Sequence, residues 1–367
     1  MTRNSPIHNI LAKIFIICMC ALTAGCSPSL PQITSSTGSN GANSTTSGAP
    51  TSACASNSTA AICALGQGIQ NGTMFVEPDA GYKPIVDAIK SAQKSIQLEI
   101  YLLTQRSVIY ALEDAANRGV SVQVMLEPHP YGGGSPTATL DKLSAAGVQA
   151  KTTNPSFALT HAKFMIIDHS IVFISSANFT ASALGGSSYT TNREYIVEEN
   201  NAAEAQELET IFTADWNRTT PALTDPNLLV SPINSFTDTI KLINSAKKSI
   251  IMEEEEMNNT DVMNALIAAE KRGVKVQIVT PVLSSSSDAQ EEQQESAAGI
   301  QVVQLNDKSG ALYIHAKMIV VDGTLGYVGS VNVSTASFNN NREVGVLISS
   351  SSMLQQLETA FAADVQG

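Results

Sequence analysis

From Thr73 to Gly367 the sequence repeats itself at a fixed spacing, and this internal repeat constrains the fold more than any other feature. SAQKSIQLEIY, beginning at Ser91, and SAKKSIIMEEEE, beginning at Ser245, lie 154 residues apart. The same offset relates Arg118-Gly119-Val120 to Arg272-Gly273-Val274 and His161-Ala162-Lys163 to His315-Ala316-Lys317, with no net gap. Each copy reads as α/β. A helix over Lys83 to Ala92 leads to a strand over Ser95 to Tyr101, and a second helix ends at an Arg-Gly pair. Gly119 and Gly273 have the place of helix C-caps. The strand Val120 to Leu126 and its mate Val274 to Thr280 are mostly apolar and β-branched, as suits strands covered on both faces. Pro221, Pro226 and Pro232 discourage regular structure and place the join at residues 219–232, between repeats 73–218 and 233–367.

The chemistry is concentrated in THAKFMIIDHSIVFISSANF and IHAKMIVVDGTLGYVGSVNV. Both read His-x-Lys-x4-Asp, then six residues, a small pair and an Asn. Side chains alternate along a strand, so His161 and Lys163 share one face, as do His315 and Lys317. Each half therefore offers an imidazole beside an ammonium. Asp322-Gly323 is a two-residue hairpin signal, and Asp168 occupies the matching position. A single His-x-Lys says little, but two copies at the repeat offset with the same downstream Asp, Ser and Asn specify a site.

These paired motifs resemble the phospholipase D superfamily, whose signature is a duplicated His-x-Lys-x4-Asp followed by Gly-Ser-x-Asn. The resemblance covers the chain from about Thr73 to its end. It implies an α/β fold in which two tandem repeats, each a mixed β-sheet flanked by helices, pack as a pseudo-dimer with both motifs in one cleft. It also implies that one histidine attacks phosphorus and the other protonates the leaving alcohol, through a phosphohistidine and without a metal or other cofactor. His161 is assigned as nucleophile and His315 as acid, from the usual order in the family. A neutral imidazole is a competent nucleophile, and its partner must begin protonated. Lys163 and Lys317 would hold the non-bridging oxygens, with Ser176, Asn178, Ser330 and Asn332 donating further hydrogen bonds. The signature places Asp168 and Asp322 among the catalytic candidates, although their position at hairpin turns favours a structural role. Asn192-Arg193-Glu194 and Asn341-Arg342-Glu343 follow the motifs, and the family's crossed pairing assigns Glu343 to His161 and Glu194 to His315. The alternative pairs each Glu with its adjacent Arg.

Ser175-Ser176 departs from the family pattern that Gly329-Ser330 keeps, which implies an altered fit to the phosphate. Glu99 and Glu253 are equivalent in the repeat, and either lines the cleft floor or faces solvent at a strand end. The run Glu253 to Glu256 reads as a solvated charge cluster.

Residues 1–25 carry Arg3, Lys13 and no acid, then an apolar run from Ile14 to Leu22 and small residues before Cys26. This pattern reads as a signal peptide, and Thr23-Ala24-Gly25-Cys26 resembles the lipobox of bacterial lipoproteins, with Cys26 as the lipidated residue. Residues 26–72, rich in Ser, Thr, Ala and Gly, read as a flexible tether, within which Cys54 and Cys63 are the remaining pair available for a disulfide. The expected setting is the cell envelope, outer membrane or periplasm-facing, with a phospholipid and a membrane surface as partners and a monomeric chain.

The motif itself reads a phosphodiester and not the groups attached to it. A phospholipase D releasing phosphatidic acid and the head-group alcohol is the first reading, and a nuclease or a cardiolipin-synthase-like phosphatidyltransferase the alternative. The formal charge of −12 and pI near 4.9 count against a polyanionic substrate. The sequence also lacks the membrane helices of the usual synthases.

Overall fold

The computed structural model describes residues 64–131, 135–187, 189–282, 294, 296–305 and 310–366. The expected signal segment, Cys26, Cys54 and Cys63 lie outside the described residues.

Two sheets carry the repeat. In the first the strand order is β1 (Thr73–Glu77), β7 (Thr191–Asn200), β6 (Ile171–Ser175), β5 (Lys163–Ile167), β2 (Ser95–Ile100), β3 (Ser121–Leu126), β4 (Gln149–Thr152). In the second it is β8 (Leu228–Ser231), β15 (Glu343–Ile348), β14 (Leu325–Gly329), β13 (Lys317–Val321), β9 (Ser249–Glu254), β10 (Lys275–Pro281), β11 (Gln301–Leu305). Strand for strand the orders coincide. Each sheet is mixed: β2, β3 and β4 run parallel, whereas β5 pairs antiparallel with both β2 and β6.

Among the described residues, alternation along the central strands builds three cores. Met165 and Ile167 of β5 face outward onto α1 (Lys83–Ser91) and α2 (Arg106–Asn117), joining Ile85, Ile89, Val108 and Leu112. Ile319 and Val321 of β13 do the same against α5 (Ser235–Ser245) and α6 (Thr260–Lys271). Phe164 and Ile166 point the other way and meet Met318 and Val320 in a core shared by both halves. That core is completed by Phe212 of α4 (Ala202–Asn217) and Leu357 of α8 (Ser351–Asp364). A fully buried side chain of this size contributes about 1.5–3 kcal/mol, so the shared core fixes the halves as one body.

Backbone pairing also crosses between halves. β12 (Leu312–Ile314) leaves the second half and pairs parallel with β7, setting Ile314 against Arg193. Reciprocally, Thr160 bridges Arg342, and the backbone N–H groups of His161 and Ala162 both donate to the Arg342 carbonyl. Each histidine is thus held beside the Asn-Arg-Glu strand of the opposite repeat.

Two boundaries shift. The segment 219–232 is not all linker, because Leu228–Ser231 is a buried strand on β15; the prolines lie on either side of it. The expected tether ends sooner than residue 72: Ile69 is buried, its N–H donates to the Leu347 carbonyl at 2.9 Å and its carbonyl accepts from Ser349 N at 2.8 Å.

Candidate active site

Both motif histidines open into one cleft of about 400 Å³, together with Asn178, Asn332, Tyr101 and Glu255. His161 Nδ1 lies 3.0 Å from Glu343 Oε2 and 3.2 Å from the Ser330 carbonyl. His315 Nδ1 lies 2.7 Å from Glu194 Oε1. A carboxylate on Nδ1 fixes the tautomer, directs Nε2 into the cleft and stabilises the imidazolium.

The Asn-Arg-Glu triplets, one within β7 and one leading into β15, send Asn and Glu one way and Arg the other. Each Asn amide donates to the Glu of its own triplet, from Asn192 to Glu194 at 3.4 Å and from Asn341 to Glu343 at 3.3 Å. Ser176 Oγ adds a 2.6 Å bond to Glu194, and Ser337, on the short α7 (Thr335–Asn339), adds one of 2.5 Å to Glu343. The arginines turn away. Arg193 forks onto Asp364 at 2.6 and 2.9 Å, and Arg342 reaches Asp215 at 3.0 Å. The glutamates therefore do not pair with their neighbouring arginines.

Lys163 and Lys317 are fully buried, and each donates to the carbonyl of its own histidine at 2.6 Å. Their surroundings differ. Burial brings the Lys163 ammonium down to about 7, against the pull of Glu343. For Lys317 burial acts in the same direction, but Glu255 and Glu194 outweigh it and the group is held above its usual value. His161 is lowered by burial, with Glu343 opposing. Glu343 itself, despite burial, is held low by His161.

One position contributes strongly to the asymmetry. At the repeat offset, Tyr101 of the first half corresponds to Glu255 of the second. Tyr101 sets its ring edge-on to His161, centroids 4.8 Å apart, with Lys163 Nζ 5.4 Å from its centroid. Glu255 Oε2 lies 2.6 Å from Lys317 Nζ and 3.4 Å from His315 Nε2. Burial pushes the Glu255 carboxyl up, but His315 and Lys317 together bring it to about 2.

Several expectations need correction. Asp168 and Asp322 are outside the cleft: on a strand rising about 3.3 Å per residue, Asp168 stands roughly 16 Å beyond Lys163. Asp168 accepts from the backbone N–H groups of Gln93, Lys94 and Ser95 at 2.7–3.0 Å. Asp322 accepts from those of Lys247, Lys248 and Ser249. Both pin the turn into β2 or β9. Ser176 and Ser330 are fully buried, and their hydroxyls bond within the fold, Ser330 bridging Val344 N–H and carbonyl. Asn178 and Asn332 do line the cleft, each with a buried Oδ1 that has no partner among the described residues.

Glu253 to Glu256 is not a solvated run. Glu253 and Glu254 are buried, Glu253 accepting from Tyr195 Oη at 2.8 Å, and only Glu256 is exposed. Glu99 is likewise buried rather than solvent-facing. Tyr101 and Glu255 were missed by sequence reasoning. Their signal was available as a Tyr-to-Glu difference at the repeat offset, just past the ends of β2 and β9. Among the described residues, no group of three or more His, Cys, Asp or Glu is placed to hold a metal ion.

A family model described as cardiolipin synthase, PLD-like domain matches the chain twice, over residues 85–216 and 239–365. The cardiolipin synthase of Clostridium perfringens (strain SM101) is 23% identical over 343 residues, covering 80% of this chain and 70% of that protein. Among solved structures, phosphatidylserine synthase from Haemophilus influenzae Rd KW20 superposes with a TM-score of 0.59 at 13% identity, covering 80% of this chain and 86% of that one. Polyphosphate kinase from Porphyromonas gingivalis does so at 0.63 and 16% identity, covering 81% of this chain and 47% of the kinase, so this chain spans about half the kinase's length. At these identities the two structures establish likeness of fold.

Proposed function

The chain belongs to the phospholipase D superfamily, enzymes acting on phosphodiester bonds, and from that premise we propose that it is a phosphatidyltransferase that moves a phosphatidyl group from one head-group alcohol to another. The observation that carries the chemistry is the pair of cleft-facing imidazoles, each backed on Nδ1 by a buried glutamate of the opposite half. His161 Nε2 attacks phosphorus, the bond to the head-group oxygen breaks, and His315 gives its proton to that oxygen. In the second step an acceptor alcohol returns a proton to His315 while its oxygen takes the phosphatidyl group from His161. Lys163 and Lys317 supply positive potential around the phosphate, and Asn178 and Asn332 supply amides at its edge.

The same residues would serve hydrolysis, with water as acceptor and phosphatidic acid as product. Transfer is favoured over that first reading because the likeness to cardiolipin synthase extends over both repeats and 80% of the chain. A nuclease is disfavoured by the cleft rim, where Glu255 and Glu256 would repel a polyanion. None of the described helices is long and apolar enough to cross a membrane. Lipidation at Cys26 would bring the enzyme to its substrate at an envelope surface instead.

The test is incubation of the purified protein with phosphatidylglycerol vesicles. Cardiolipin and glycerol as products would support transfer. Phosphatidic acid alone would return hydrolysis to first place.

A further inference from the structure

The two halves match at the motif histidines, lysines and backing glutamates, and differ at the residue that meets the cleft-facing Nε2. In the second half, Glu255 Oε2 lies between Lys317 Nζ at 2.6 Å and His315 Nε2 at 3.4 Å, while its Oε1 accepts from Tyr313 Oη at 3.3 Å. In the first half, among the described residues, no carboxylate pairs with His161 Nε2, and Tyr101 stands there edge-on. We propose that Glu255 is a resident carboxylate in the phosphate seat of the second half, and that a phosphodiester binds only by displacing it from Lys317 and His315. This rests on the reading above in one respect, that His315 and Lys317 are the second half's contacts to the substrate phosphate.

A carboxylate and a phosphate present the same kind of oxygen to an ammonium and an imidazolium, so one set of donors accepts either but not both. If Glu255 stayed in place, the arriving anion would face a like charge inside a half-buried site, where repulsion is weakly screened. The local chain permits departure. Glu255 lies one residue past the end of β9, so its rotation breaks no strand pairing, and its side chain keeps 18% exposure to the cleft. The arrangement also separates the roles of the histidines. His315 meets a carboxylate on each nitrogen, Glu194 on Nδ1 and Glu255 on Nε2, while His161 Nε2 is left open for attack.

Inorganic phosphate is the probe, titrated calorimetrically into the full chain as wild type, Glu255→Gln and Glu256→Gln. Glu256 lines the same cleft and serves as the control for net charge. Glu255→Gln should bind phosphate at least ten-fold more tightly than wild type, with Glu256→Gln within about three-fold. Equal or weaker binding by Glu255→Gln would overturn the proposal, as would equal tightening by both variants. A lesion that merely loosened the fold would not tighten binding. Should Glu255→Gln fail to fold, a wild-type crystal with bound phosphate gives the answer: the Glu255 carboxylate out of contact with Lys317 supports the proposal, and phosphate on His315 with Glu255 unmoved defeats it. No lipid turnover enters this experiment. Tighter binding in a protein that makes neither cardiolipin nor phosphatidic acid would leave the seat intact and remove the lipid reading instead.

Discussion

Two hydroxyls satisfy the same backbone N–H by different routes in the two halves. Ser175 Oγ accepts from Ala177 N at 2.7 Å, whereas in the second half the Tyr327 phenol accepts from Val331 N at 3.2 Å. Gly329 makes room for that phenol, since a Cβ there would lie 2.6 Å from the Tyr327 oxygen and 2.3 Å from Gly345 Cα. The departure from Gly at residue 175 is therefore compensated inside the fold, where the buried Ser175 hydroxyl bonds to the Ala177 backbone. Ser175→Gly and Tyr327→Phe should each lose about 1–3 kcal/mol in denaturant unfolding, the cost of one buried N–H left unpaired, with turnover by the folded enzyme retained. His161 titrates by the same local logic. Burial holds it below the usual histidine value while Glu343 opposes, so the acid limb of the kcat/KM profile should fall below pH 6.5. Glu343→Gln removes the upward pull and should move that limb to lower pH, alongside a large loss of rate. A limb moving upward would contradict the pairing.

At the scale of elements, the signature aspartates are anchors for the strands that carry the site. Asp168 has φ 52° and Asp322 φ 54°, left-handed conformations that Asp tolerates better than most residues, and each carboxylate gathers three N–H groups at the start of β2 or β9. Asp168→Ala and Asp322→Ala should each destabilise the fold by roughly 1 kcal/mol, a modest figure because both sites are partly exposed. Burial raises the carboxyl of Asp168, but the backbone donors outweigh it and hold it below its usual value. Its stabilisation is thus present above the unfolded pKa and is lost as pH falls through the folded one. Wild-type and Asp168→Ala midpoints should converge on acidification. The repeat, the helix-strand order and the motif strands were legible in the sequence because periodicity and a fixed offset are one-dimensional signals. The strand Leu228–Ser231 was hidden by flanking prolines. Glu253 was hidden because Tyr195 of the opposite half covers it, and Glu254 because it is buried beside Val333 and Lys317 of its own half; a local reading of four acids cannot anticipate either.

At the scale of the whole molecule, neither half contains a finished site. β12 and the Thr160 bridge carry each histidine across the interface to the glutamate of the other repeat, so catalysis depends on the shared core as much as on the motifs. The resemblance supplied the crossed pairing as an expectation, but composition and spacing could not, since the contact spans 182 residues between His161 and Glu343. The two histidines should also be separable. His161→Ala should be inactive on every phosphodiester, while His315→Ala should recover part of its rate on a p-nitrophenyl phosphodiester, whose leaving group needs no proton. The most direct test of the two-step account is rapid quenching of the enzyme with phosphatidylglycerol, followed by mass spectrometry of its peptides under conditions that preserve phosphohistidine. The expected result is a phosphatidyl adduct on the His161 peptide, absent from His161→Ala and discharged when acceptor alcohol is added. An adduct on His315, or full turnover with no adduct on either histidine, would contradict it.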